Sequence, residues 1–161
     1  MLPELITRLG EASEPLSGKR IADVYGGVGV FGLFLAAAAD EVVLIERDPR
    51  AVEAAEISAR QWGLENFRIV HLDAEEALAG SGPFDVVILD PPRSGLAPTV
   101  TSVLLTERPA QILYVSCLAE SLARDLRALA DDYEIEALEL FDFYPQTYHV
   151  EILAVLRSRT R

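Results

Sequence analysis

Short, unbroken apolar runs alternate with amphipathic stretches along most of this chain. The runs at 21–25, 41–46, 67–72, 84–89 and 111–116 predict buried parallel strands, because a strand covered on both faces shows no polar alternation. Val42, Val43, Leu44 and Ile45 are the clearest case. Between them, 28–39, 49–62, 74–79, 98–106 and 118–130 carry helical composition, with Pro49 suited to a first turn and Gly63 to a stop. The pattern then changes. Residues 133–143 and 148–156 predict two strands joined by Tyr144-Pro145-Gln146-Thr147, a connection too short for a parallel crossover, so the two run antiparallel. The sum is a doubly wound α/β domain: a mostly parallel seven-stranded sheet with one antiparallel strand. Residues 1–19 predict a helix and a lead-in, and 20–161 a single domain without repeat or linker.

Composition narrows this picture. With 161 residues and 50% hydrophobic content the chain can bury a core and is not disordered. No apolar run approaches the roughly 20 residues needed to span a bilayer, and the 31–39 run is too short and too far inside the chain to be a signal peptide. The single cysteine, Cys117, excludes an internal disulfide and suits a reducing cytoplasm. It lies far in sequence from His71 and His149, so no zinc-ligand spacing exists and no metal is expected. Fourteen basic residues face twenty-six acidic ones, a net charge of −12, which argues against this domain gripping a phosphate backbone by itself. The tail Arg157, Arg159 and Arg161 reads as a solvated terminus.

Candidate chemistry sits at the predicted strand ends. Asp23-Val24-Tyr25-Gly26-Gly27-Val28-Gly29 joins the first strand to the first helix, and Gly27, Gly29 and Gly32 satisfy G-x-G-x-x-G, which alone is weak evidence for a dinucleotide. Asp23 would sit badly beside a pyrophosphate but could meet the cationic amino-acid end of S-adenosylmethionine, and Glu46 ends the second strand where ribose hydroxyls are held. Asp73 ends the third strand, placed either to bind adenine or to cap the next helix. Asp90-Pro91-Pro92-Arg93 follows the fourth strand, where two prolines fix the Asp90 carboxylate near the switch in strand order. Cys117 ends the fifth strand just before a helix N-terminus, whose dipole favours thiolate; a small core residue is the competing reading. Glu151 lies among Val150, Ile152 and Leu153, so burial there would raise its pKa toward that of a working base, and His149 shares its face of the strand. A thiolate that attacks C6 of uracil makes C5 nucleophilic, and a base must then remove the C5 proton.

These residues match a known pattern. The chain resembles the catalytic domain of the RNA 5-methyluridine methyltransferases, which methylate uridine C5 in tRNA or rRNA. The resemblance runs from Arg20 to Leu156 and rests on Asp23–Gly29, Asp90-Pro91-Pro92-Arg93-Ser94-Gly95, Tyr114-Val115-Ser116-Cys117, Ala123-Arg124-Asp125 and the stretch from Asp142 to Glu151. It implies a Rossmann-like S-adenosylmethionine-dependent fold, Cys117 as nucleophile, Glu151 as base and Asp90 in the active site beside the methyl donor. Asp23, Tyr25, Gly26, Gly27, Gly29, Glu46, Asp73 and Asp90 would bind the cofactor, and Arg93 and His149 the substrate. The chain departs from the family where Ser-Cys-Asn-Pro reads Ser116-Cys117-Leu118-Ala119 and where a loop Cys reads Gly26. Residues 1–19 hold no match to the family's Phe-x-Gln-x-Asn stretch, so RNA is expected to be bound through an accessory domain that this chain lacks. Two other readings stay open: a methyltransferase acting on an amino group through the Asp90-Pro91-Pro92 turn, and a cofactor-binding fragment without activity of its own. A nicotinamide oxidoreductase is more distant.

Overall fold

A computed structural model of the chain describes residues 2–13, 15–143, 145–147 and 150–159. His149, expected to touch substrate, lies outside the described residues. The chain begins with α1 (Leu2–Ser13) and continues β1 (Arg20–Val24), α2 (Val30–Ala36), β2 (Glu41–Ile45), α3 (Pro49–Gln61), β3 (Phe67–Val70), α4 (Ala74–Gly80), β4 (Val86–Leu89), α5 (Pro98–Glu107), β5 (Gln111–Ser116), α6 (Ala119–Leu129), β6 (Tyr133–Phe141) and β7 (Glu151–Ser158). One sheet of order β3-β2-β1-β4-β5-β7-β6 joins all seven strands. Only β7 runs against its neighbours, pairing antiparallel with both β5 and β6. The expected architecture and its antiparallel closure are therefore present.

The sheet is covered on both faces, which is why β4 and β5 are buried at every position. Alternate residues divide between two cores. Ala22, Val24, Val43, Val87, Ile112 and Tyr114 pack with α4, α5 and α6 residues such as Ala77, Leu104 and Leu122. Ile21, Val42, Ile88, Leu113 and Val115 pack with Leu5 and Leu9 of α1 and Phe31 and Leu35 of α2. The Arg8 guanidinium pairs with the Glu139 carboxylate at 2.7 Å, pinning α1 against β6.

Several boundaries differ from the sequence pattern for local reasons. The helix expected over 28–39 is shorter because Gly29, at φ 84°, forms its N-cap and the Leu35 carbonyl accepts from both Ala38 and Ala39 at the other end. Edge strand β6 stops at Phe141 rather than 143. Its residues Ile135, Leu138 and Leu140 stay exposed. Strand order reverses between β1 and β4, so the loops after these two strands diverge and open a crevice at the C-terminal edge of the sheet. Among the described residues, no helix is long and apolar enough to cross a membrane.

Candidate active site

Of the loop after β1, Tyr25 lines the crevice, while Gly26, Gly27 and Gly29 are not among its lining residues. Tyr25 takes φ 60°, a left-handed conformation costly for a residue with a side chain and kept only where its surroundings enforce it. Its ring lines the crevice, and a hydrogen bond from the Ala97 backbone meets its hydroxyl; burial pushes the phenol pKa up to about 12. Gly26 N–H donates to the Ile45 carbonyl at 3.3 Å, and Gly29 N–H closes the turn onto the Gly26 carbonyl at 2.8 Å. Gly27 N–H donates to Glu46 Oε2 at 3.0 Å, while Glu46 Oε1 accepts from the backbone of Arg47 and Asp48. That loop amide is therefore already committed to a carboxylate, which disfavours a phosphate in its place.

Asp23 lies behind this loop rather than facing the crevice. It is fully buried; Oδ2 accepts from Gly32 N–H at 2.8 Å, and Oδ1 has no hydrogen-bond partner among the described residues. Gly32 is required by this close approach, because a Cβ there would stand 2.8 Å from Asp23 Oδ2 and 3.1 Å from the side chains of Phe67 and Val42. Burial raises the Asp23 pKa from 3.8 to about 7, the Gly32 hydrogen bond opposes that rise, and the charges of Asp90 and Glu46 add to it. The sign follows from proton linkage. The folded state holds the proton more tightly than the unfolded chain, so this group's contribution is fully present below pH 4 and is lost as pH climbs to about 7. Asp23→Asn keeps an acceptor for Gly32 without the charge. Urea unfolding across pH should find the variant as stable as the parent near pH 4 and more stable at pH 8, by at most roughly 4 kcal/mol. Parallel pH profiles would contradict this account of Asp23.

The crevice itself is a cavity of about 570 Å³ lined by Tyr25, Ile45, Glu46, Leu72, Asp73, Ala74, Asp90 and the 94–97 segment. Glu75 and Arg47 also line it; neither stands out in the sequence, because Glu75 sits within an ordinary acidic first turn of α4. Four carboxylates (Glu46, Asp73, Glu75, Asp90) against the one guanidinium of Arg47 make the cavity strongly anionic. Asp73 is the N-cap residue of α4 but makes no side-chain cap bond; its carboxylate meets Arg47 at 3.3 Å instead, so helix capping does not explain it.

A second cavity of about 380 Å³ lies on the other side of Asp90, lined by Leu2, Leu5, Phe31, Val115, Phe143 and Glu151. Asp90 lines both cavities. Burial and the charge of Glu151 raise the Asp90 pKa to about 6; burial also raises that of Glu151, against the lowering effect of Arg93. Glu151 therefore acts on Asp90 and Arg93 on Glu151, although Arg93 is not among the residues that line either cavity. Cys117 is free and half-buried. The β5–β7 ladder ends at Ser116↔Ile152, so Cys117 and Glu151 are the next residues on the two chains at that end of the sheet. Cys117 follows the last residue of β5 and is not among the residues that line either cavity, whereas Val115, two residues before it, lines the second. That α1 reaches this cavity through Leu2 and Leu5 is seen only in the fold.

The sequence profile of the tRNA (uracil-5-)-methyltransferase family matches residues 6–159. The chain belongs to this family. It is 37% identical over 158 residues to the tRNA (uracil(54)-C(5))-methyltransferase of Pyrococcus abyssi, which covers 95% of this chain and 36% of that protein. It is 37% identical over 153 residues to the 23S rRNA (uracil(747)-C(5))-methyltransferase RlmC of Proteus mirabilis, covering 94% and 40%. The crystal structure of the Pyrococcus abyssi tRNA (uracil-54, C5)-methyltransferase in complex with S-adenosyl-L-homocysteine superposes with a TM-score of 0.84 at 34% identity, over 96% of this chain and 38% of that one. The chain thus spans roughly two fifths or less of these relatives' length. Its sheet is that of the methyltransferase fold. In this family member the Leu118-Ala119 departure leaves a compact turn: Ser116 Oγ accepts from Leu118 N–H at 3.2 Å and donates to the Leu118 carbonyl at 3.1 Å, which holds the chain beside Cys117.

Proposed function

We propose that this chain is the catalytic part of an S-adenosylmethionine-dependent enzyme that methylates C5 of a uridine in tRNA or rRNA through a covalent Cys117–C6 adduct. The observation that carries the reading is Asp90, which is shared by an acidic cavity and by a second cavity holding Glu151. A cationic methyl donor fits the first. Glu46 retains acceptor capacity beyond its backbone bonds for a ribose diol. Leu72, Ile45 and Ala74 offer apolar walls for a purine, with Asp73 at hand for its amine. The surplus of carboxylates over the single guanidinium of Arg47 favours a ligand bearing positive charge. S-adenosylmethionine supplies an electrophilic methyl on a cationic sulfur.

The second cavity suits a flat base, with Phe31 and Phe143 as aromatic walls and carboxylates at its edge. Cys117 Sγ adds to C6 of uracil, and the electron pair of the C5–C6 double bond moves toward C5 and O4. Once C5 is methylated, Glu151 removes the C5 proton, the C5–C6 double bond re-forms, and the C6–S bond breaks to return the thiolate. Arg93 stabilises the Glu151 carboxylate needed for that step. Arg93→Gln should therefore move the acid limb of the pH–rate profile to higher pH, and an unmoved limb would remove Arg93 from this role. The net charge of −12 favours RNA binding through a further basic domain or partner.

Calorimetric titration with S-adenosylhomocysteine tests the cofactor assignment. Binding in the micromolar range, about −8 kcal/mol, is expected; binding of NAD in its place would overturn it.

A further inference from the structure

α6 has a buried face made of Ser121, Leu122, Asp125 and Leu129, and a carboxylate in such a row calls for an explanation. Asp125 is only 4% exposed. Its Oδ2 accepts from Leu96 N–H at 2.8 Å and from the Tyr114 hydroxyl at 2.7 Å. Its Oδ1 accepts from Arg124 Nε at 2.9 Å and Nη2 at 2.7 Å, and the same Nη2 donates to the Ser94 carbonyl at 2.7 Å. Every partner belongs either to the segment following Asp90, to β5, or to the adjacent Arg124. Gly95 stands between them at φ 77°, its N–H closing the turn onto the Pro92 carbonyl at 2.8 Å. A Cβ there would overlap Asp125 Oδ2 and Arg124 Nη2, so the glycine is the space this clamp requires. Leu96 and Ala97 line the first cavity, and Ala97 in turn holds the Tyr25 hydroxyl.

We propose that Asp125 is a positioning residue for the 90–97 turn: by gripping Leu96 N–H and, through Arg124, the Ser94 carbonyl, it fixes one wall of the cofactor cavity and ties that wall to β5, the strand that leads into Cys117. The proposal rests on the reading of this cavity as the cofactor site. A carboxylate accepting four hydrogen bonds inside a protein is held far more firmly than one on the surface. Without it Leu96 N–H and the Tyr114 hydroxyl are buried with no acceptor, and the turn must move to find one.

Two measurements on the full chain test this. In the free protein, hydrogen exchange of the Gly95–Ala97 amides should quicken at least tenfold in Asp125→Ala, while β1 amides keep their protection. Affinity for S-adenosylhomocysteine should fall at least tenfold in Asp125→Ala and return to within about threefold of the parent in Asp125→Asn, whose amide oxygen still accepts from Leu96 and Tyr114. Arg124→Gln removes only an exposed side chain, so it carries the test should the alanine variant fail to fold; about threefold weaker binding and faster exchange at 95–97 are expected. Parent-like exchange and affinity in a folded Asp125→Ala, or in Arg124→Gln if the former does not fold, would overturn the proposal. If the parent itself binds no S-adenosylhomocysteine, the cofactor reading fails, and exchange in the free protein still decides the clamp.

Discussion

Replacement of Cys117 by alanine is expected to lower methyl transfer to RNA at least 10³-fold, roughly 4 kcal/mol in barrier, while S-adenosylhomocysteine binds within about twofold of the parent. The two effects separate because Cys117 is not among the residues lining the acidic cavity; it follows β5 where Ser116 pairs with Ile152, next to the start of β7 at Glu151. The exchange removes one sulfur from a half-buried position at a strand end, so the fold should be retained. Uracil C5 is too poor a nucleophile without the C6 adduct, and no other cysteine is present to replace the lost one. Single-turnover methylation beside calorimetry checks this, and near-parental rates in the alanine variant would remove the covalent route.

Glu151→Gln should lower turnover by about 10²–10⁴-fold, the usual worth of a general base, with a different signature. Cys117 remains able to add to C6, and C5 can still be methylated, but the C5 proton has no carboxylate to take it. Protein covalently joined to RNA should therefore accumulate and survive denaturation, as it should not with Cys117→Ala. The pH dependence follows from the same carboxyl group. Burial raises the Glu151 pKa, so the active carboxylate form is lost earlier on acidification than for an exposed glutamate, and turnover should fall as pH drops. A glutamine variant that turns over normally, with no accumulated adduct, would assign the proton transfer elsewhere.

Much of this architecture was legible because buried parallel strands must be continuously apolar: β5 was bounded correctly at Gln111 and Ser116 on that ground alone. The antiparallel closure was legible from the short connection before β7. Glu46, Asp73, Tyr25 and Asp90 were singled out at or just after strand ends, and all four line the crevice that opens where the strand order switches. What escaped the sequence depends on tertiary placement. A carboxylate that ends an apolar strand reads as facing a ligand, yet Asp23 turns behind the loop to meet Gly32. Leu2 and Leu5 carry no mark distinguishing a cavity wall from a core contact. Asp125 did leave a trace, an acid on the apolar face of a strongly amphipathic helix, but the loop amide it holds, Leu96 N–H, lies 29 residues away. Phe143 lies beyond the end of β6, so strand alternation says nothing of its direction.

The proposed reaction methylates C5 of uracil while Cys117 is joined to C6. Mass spectrometry of nucleosides from RNA incubated with S-adenosylmethionine and either the parent chain or Cys117→Ala tests it most directly. The account predicts 5-methyluridine from the parent and none from the variant. A methyl group on an exocyclic amine, or 5-methyluridine formed equally by both proteins, would contradict it.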